Sequence, residues 1–223
     1  MEPRKRPGFH YREATIGTFT GIVLFPDVAV EEFEHIGSNL MTQFKVPTRE
    51  EVSEANQAIF DKLQGMVGFV PNLYAYYANN ETALGDYLTL QNRKSTLRAK
   101  EREVINLVVS QVNECDYCLA AHTAIGKMNG FSEKETVDIR KGDVSFDEKL
   151  GALAHFVRET TEKRGKPSPE AVEAFFSAGY TEAHLVDVLI LIGDKTISNY
   201  LHGVTQIPID WEPAPPLTEE TAA

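Results

Sequence analysis

The two cysteines of the chain stand together, Cys115 and Cys118, in the run Glu114-Cys115-Asp116-Tyr117-Cys118-Leu119-Ala120-Ala121-His122. Two cysteines cannot form the bridge framework of a small secreted domain, and a chain of 223 residues needs no such staple. If the segment is helical, spacings of three and four residues project Cys115, Cys118 and His122 from one face. Cys115 then lies at the helix start, where unpaired N–H groups and the positive dipole end favour thiolate, which makes it the thiol of lower pKa on helix-end electrostatics. Cys118 has an imidazole one turn further on, able to accept its proton or, when charged, to hold the anion. Two thiols within one turn form a disulfide once either is oxidised, so dithiol redox chemistry follows. Glu103, the last carboxylate before the apolar run Val104 to Val109, is the candidate for proton traffic. Carried into a helical interface it should have a raised pKa and a partner, for which His122 is the obvious choice.

These residues need helices to position them, and the chain punctuates helices repeatedly. Thr48 with Glu51, Ser132 with Glu135, and Ser145 with Glu148 each fit a reciprocal capping box, and Ser168 precedes Pro169 at a first helical position. Gly130, Gly142, Gly165 and Gly179 fall where helix ends are expected. The pattern predicts helices near 49–64, 71–78, 81–94, 99–113, 115–128, 133–141, 146–163, 169–177 and 182–205. The last is apolar on all sides from Leu185 to Ile192, which suits a helix inside a bundle or at a subunit contact, with Thr181 as its cap. The tail from Ile207, with Pro208, Pro213, Pro215 and Pro216, reads as extended. Residues 1–40 read differently: a basic start at Arg4, Lys5 and Arg6, a mixed apolar stretch from Ile16 to Val30, then acidic Glu31, Glu32 and Glu34. They are expected to be a short irregular extension, disordered or the product of a mis-assigned start upstream of Met41, ahead of a helical domain at 41–223.

Composition narrows the function classes. Thirty-three acidic against 22 basic side chains give a formal charge of −11, which argues against a surface built for nucleic acid. No stretch approaches the roughly 18 consecutive apolar residues of a membrane-spanning helix. No leader-like segment survives the interruptions at Thr18, Thr20, Gly21, Pro26 and Asp27, so a cytoplasmic protein is expected.

Glu103, eleven residues, Cys115, two residues, Cys118, three residues and His122 together resemble the active-site signature of the AhpD-like alkyl hydroperoxidases, within the carboxymuconolactone decarboxylase superfamily. The likeness extends over about Val46 to Gly203, including Val70-Pro71-Asn72-Leu73 and the Arg102-Glu103 pair. It implies an all-α, AhpD-like multi-helix bundle and a thiol-dependent peroxidase in which Cys118 is the peroxidatic cysteine and Cys115 the more exposed proton donor and resolving thiol. Glu103 and His122 would form the proton relay. The resemblance further implies that the dithiol is the only cofactor, that a lipoyl or thioredoxin-type thiol carrier restores it, and that subunits assemble as trimers or hexamers. One departure is that the hydroperoxidases carry histidine immediately before the second cysteine, where this chain has Tyr117, a weaker acid that can still donate a hydrogen bond. Two other readings stand beside this one: a decarboxylase-type lyase acting on a small lactone acid through Glu103 and His122, and a redox-sensing helical module without turnover.

Simpler roles suit the remaining candidates. Zinc prefers four ligands from separated elements, and only Cys115, Cys118 and His122 are evident. His155, His184 and His202 read as structural, and the tyrosines at 74, 76, 77 and 87 as helix packing or the walls of an approach. Arg93, Lys94, Arg98, Lys100 and Arg102 form a positive patch best read as a solvated face.

Overall fold

The apolar run after Glu103 decides where the core lies. In the computed structural model, which describes residues 13–16, 19–22 and 44–217, Val104, Ile105, Leu107, Val108 and Val109 are wholly buried in the fourth of nine α-helices found among the described residues. These helices are α1 (Glu54–Val67), α2 (Asn72–Tyr77), α3 (Ala83–Gln91), α4 (Ala99–Val112), α5 (Asp116–Met128), α6 (Glu133–Lys141), α7 (Glu148–Glu162), α8 (Pro169–Ser177) and α9 (Glu182–Thr205). Helix α4 packs against α5, α6, α7 and α9. Its apolar run meets Leu153, Phe156 and Val157 of α7, Phe175 of α8, and Val188 and Leu191 of α9. Burying one Leu- or Phe-sized side chain contributes about 1.5–3 kcal/mol, so this all-round contact makes α4 the mast of the bundle. A smaller cluster of Val52, Phe60, Ala75, Ala78 and Leu84 ties α1, α2 and α3 together.

The all-α class holds for residues 44–217, and most boundaries fall where the caps place them. Ser132 and Glu135 close their box, Ser168 accepts from the Ala171 N–H, and Thr181 accepts from the His184 N–H. Gly142 takes the left-handed backbone, φ 87°, that ends α6.

Two caps act differently from expectation. The Thr48–Glu51 box closes only a single 3-10 turn, Arg49–Glu51, because Val52 turns extended to enter the small cluster and Ser53 then caps α1. At α7 the cap is Asp147, accepting from the Leu150 N–H, and not Ser145. Phe146 lies between them and packs edge-on against Phe131, and the cap falls two residues later.

Within residues 1–43, a separate unit, Glu13–Ile16 pairs antiparallel with Phe19–Ile22, so the extension expected to be irregular holds a short β-ribbon. The basic start, the acidic Glu31–Glu34 segment and Met41 lie outside the described residues. The tail is extended over 207–217 as expected, and it is anchored: Ile207 is buried, and the Pro215 carbonyl accepts from the Arg140 guanidinium at 2.6 Å.

Helix α9 carries an inverted pattern. Its inward face holds Asp187, Asp194, Lys195, Ser198, Asn199 and His202, all buried, whereas Val186, Leu189, Ile197, Tyr200 and Val204 are exposed. No helix among the described residues is long and apolar enough to cross a membrane.

Candidate active site

The link between α4 and α5 is three residues long. After the Asn113 cap, Glu114 takes a left-handed φ of 53°, so the Glu114 N–H reaches the Gln111 carbonyl at 3.2 Å and the Cys115 N–H the Ser110 carbonyl at 3.0 Å. Both bonds satisfy orphan carbonyls at the end of α4, and the conformation costs a non-glycine residue about 1–2 kcal/mol. Cys115 emerges as the cap residue of α5, its Sγ accepting from the Cys118 N–H at 3.4 Å. The two free thiols are 2.8 Å apart, Sγ to Sγ. The spacing argument therefore holds for the sulfurs.

Both cysteines are 2% exposed, so Cys115 is not the more exposed thiol that the resemblance implies. Cys118 lines a cavity of about 520 Å³, and Cys115 lies behind it in a cluster with Leu73, Tyr117 and Ile207. Helix-end electrostatics are overruled as well. The hydrogen bond from Cys115 to Cys118, with the charge of Lys195 and the amide of Asn199, brings the Cys118 thiol below its ordinary pKa despite burial. The same sulfur–sulfur bond and burial push Cys115 up. A cap position favours an anion only when the sulfur is not already the donor to a second one.

Glu103 and His122 meet as expected: Nδ1 of His122 is 2.8 Å from Oε2 of Glu103, and both residues line the cavity. Asn106 donates to the other carboxylate oxygen at 3.0 Å. The expected rise in the Glu103 pKa is not found. Burial pushes that carboxyl up, but His122, Lys195 and Asn106 outweigh it and bring it below its ordinary value. His122 is itself lowered, by burial and then by Lys195, against the pull of Glu103. A neutral imidazole donating through Nδ1 to an ionised Glu103 satisfies both directions and leaves Nε2 as the ring's acceptor. His122 makes no hydrogen bond to Cys118; it shares the cavity wall with it.

Tyr117 also lines the cavity, but its hydroxyl is engaged elsewhere. It donates to Oδ2 of Asp210 at 2.5 Å and accepts from the Leu73 N–H at 3.2 Å, pinning α2 and the tail to α5. Tyr74 and Tyr87 are cavity wall, and Tyr77 stacks on Tyr87 at 4.4 Å between centroids, as the packing reading of the tyrosines requires. His202 is structural, bonded at 3.1 Å to the Ile207 carbonyl. The positive patch is not simply solvated: Arg93 pairs with Asp187 at 2.6 Å, and Arg102 donates to the Gln91 carbonyl at the cavity. Among the described residues no group of three His, Cys, Asp or Glu side chains is placed to hold a metal ion.

Sequence reading missed the contribution of α9. Lys195 and Ser198 line the cavity, and Asn199 lies against both sulfurs while bonding Ser110 and Asn113. The available signal was the polar set Asp194, Lys195, Ser198 and Asn199, recurring at helical spacing in a segment that otherwise reads as apolar.

Part of the sequence is similar to a known family. Residues 76–158, which hold α4, the sulfur link and α5, match the carboxymuconolactone decarboxylase family. The match is narrower than the span from Val46 to Gly203 over which the sequence resemblance runs. No curated protein sequence matches the chain. Solved structures match over more of it: a peroxidase-related protein from Silicibacter sp. TM1040, 23% identical with a TM-score of 0.64, covers 78% of this chain and 93% of its own. The alkylhydroperoxidase AhpD core of a peroxidase-related protein from Ralstonia eutropha JMP134 is 19% identical with a TM-score of 0.65, covering 80% and 93%. The debrominase Bmp8 in complex with 2,3,4-tribromopyrrole is 14% identical with a TM-score of 0.64, covering 77% and 93%. At these identities the likenesses establish the AhpD-core helical fold.

Proposed function

We propose that this chain is a thiol-dependent peroxidase working through a Cys115–Cys118 dithiol/disulfide cycle. The observation that carries the reading is a cavity-lining Cys118 with a lowered pKa, backed 2.8 Å away by a second thiol. The Cys118 thiolate attacks the distal oxygen of a hydroperoxide; an S–O bond forms, the O–O bond breaks, and the leaving alkoxide takes up a proton. Sulfur is oxidised by two electrons and the peroxide reduced. Cys115 then attacks the sulfenic acid, releasing water and closing the disulfide. Glu103 and the free nitrogen of His122 relay the protons at the cavity wall. The apolar walls, with Met66, Val67, Phe69, Ile125 and Trp211, suit an alkyl or aryl hydroperoxide.

An external dithiol of lipoyl or thioredoxin type restores the pair. A homo-oligomer, trimeric or hexameric, would cover the exposed apolar face of α9, and the cytoplasm would keep the thiols reduced.

The discriminating experiment is Cys118→Ser. Hydroperoxide consumption is expected to vanish, since no other cysteine lines the cavity. If consumption survives, or if the wild type opens a small lactone acid at a rate the substitution leaves intact, the lyase reading replaces this one. A wild type that turns over neither substrate but binds a protein partner according to its oxidation state is a redox sensor.

A further inference from the structure

We propose that Lys195 is the counter-ion of the Cys118 thiolate, a cation supplied from α9 that sets which sulfur reacts. This deepens the peroxidase reading and rests on its choice of Cys118 as the reacting thiol. Lys195 is 3% exposed and lines the same cavity as Cys118. Its neighbour one turn on, Asn199, lies against both sulfurs, so this face of α9 is the one turned to the start of α5.

The ammonium is also unpartnered: among the described residues Lys195 forms no ion pair and donates no side-chain hydrogen bond. An ammonium held this far from bulk solvent favours any anion that shares its cavity. Glu103 shares that charge, which helps to bring its carboxyl down. Glu103 is held by His122 and Asn106. Asp194 precedes Lys195 in the chain, and the two side chains diverge by the roughly 100° between successive helical positions. Asp194 is 2% exposed with neither oxygen hydrogen-bonded; its charge falls on Tyr74, Tyr77 and Tyr87 and also on Cys118 and His122, and it lines a small void beside Leu191 rather than the main cavity. Arg102, the other cation of the cavity wall, is engaged with the Gln91 carbonyl. The sulfur of Cys118 lines the same cavity and is brought down by the same charge.

The groups facing Cys118 come from four elements. Helix α2 presents Tyr74 and Tyr77, and α4 presents Glu103 through His122. Helix α5 adds Cys115 and His122, and α9 adds Asp194 and Lys195. Lys195 is the one group of fixed positive charge among them. Asp194 opposes it, so removing Lys195 leaves Arg102, engaged with the Gln91 carbonyl, as the remaining cation of the cavity wall.

The test is the pH dependence of Cys118 alkylation by iodoacetamide in the full chain, mapped by mass spectrometry, for wild type, Lys195→Met and Lys195→Arg. In Lys195→Met the midpoint should rise by about one pH unit or more, a roughly tenfold loss of thiolate at neutral pH, while Lys195→Arg stays within about half a unit of wild type. A Lys195→Met midpoint equal to the wild type's, or preferential alkylation of Cys115 in the wild type, overturns the proposal. If the methionine variant does not fold, Lys195→Gln, neutral but able to hydrogen-bond, gives the same two outcomes. Hydroperoxide consumption measured in parallel separates the two claims. A shifted midpoint without consumption by the wild type sinks the peroxidase and leaves Lys195 its role, whereas consumption with an unshifted midpoint does the reverse.

Discussion

The sulfur pair lies between two unlike helices. Helix α5 and its approach from α4 carry chemistry openly: Glu103, Cys115, Cys118 and His122 stand at spacings that bring their side chains together. Helix α9 reads as apolar filler, yet it places Lys195, Ser198 and Asn199 at the cavity and the sulfurs and leaves Val186, Leu189, Ile197, Tyr200 and Val204 outside. The difference is one of range. Groups on adjoining turns advertise their meeting through sequence spacing, whereas groups some 80 residues away meet the same sulfurs only through the packing of α9 on α4 and α5. In the proposed reaction the first helix supplies the reacting atoms and the proton route, and the second supplies the electrostatics and the frame.

That division can be broken by experiment. Glu103→Gln keeps the hydrogen-bonding shape but removes the ionised acceptor of His122, so hydroperoxide turnover should fall about 100-fold. Its Cys118 alkylation midpoint should stay near the wild-type value. A midpoint displaced as far as the one expected for Lys195→Met would erase the distinction between relay and counter-ion.

A second substitution tests the framing half of α9. Asp187 accepts from the Thr96 N–H at 2.6 Å, from the Thr96 and Ser95 hydroxyls, and pairs with Arg93. Burial pushes its carboxyl up, but these donors hold it well below the usual carboxylate range. Asp187→Asn should cost about 2–3 kcal/mol in urea unfolding at neutral pH without moving the Cys118 midpoint. The sign with pH follows from the depressed value: the stabilisation is complete above the unfolded carboxyl's pKa of about 3.9 and is lost as pH falls below it. The gap between wild type and variant should therefore narrow progressively below pH of about 4. His122, also depressed by burial, adds a loss of stability in the wild type as pH falls below about 6.5, where the unfolded imidazole takes up its proton.

The smallest effect is expected at Ser198, whose Oγ accepts from the Tyr87 hydroxyl at 3.2 Å. Ser198→Ala should cost about 1 kcal/mol, read in the same urea titration, and leave thiol reactivity alone. A large loss of reactivity would mean that Ser198 belongs with Lys195 and not with the frame.

Much of this was legible before any coordinates. Glycine and serine punctuation placed Gly142 and Ser168 correctly, because a left-handed stop or an orphan N–H imposes a local demand. Ser145 lost its cap to Asp147 because the neighbouring Phe146 packs on Phe131, a contact that no local pattern encodes. The Glu103–His122 pair was legible from its place beside the apolar run, but its direction of titration was not, since Lys195 approaches from elsewhere in the chain. For the same reason a rule about helix starts chose the wrong sulfur: it saw the dipole of α5 and neither the thiol-to-thiol bond nor the ammonium opposite. The hydroxyl of Tyr117 was free to act in the sequence and is committed to Asp210 and Leu73 in the fold.

The most direct test of the sulfur cycle is intact and peptide mass spectrometry of the reduced chain before and after one equivalent of an organic hydroperoxide, with alkylation of whatever thiols remain. A loss of two hydrogens, mapped to a bond between positions 115 and 118 and reversed by a dithiol, is the predicted result. Both cysteines still alkylated, or Cys118 carrying added oxygen while Cys115 remains a free thiol, would contradict it.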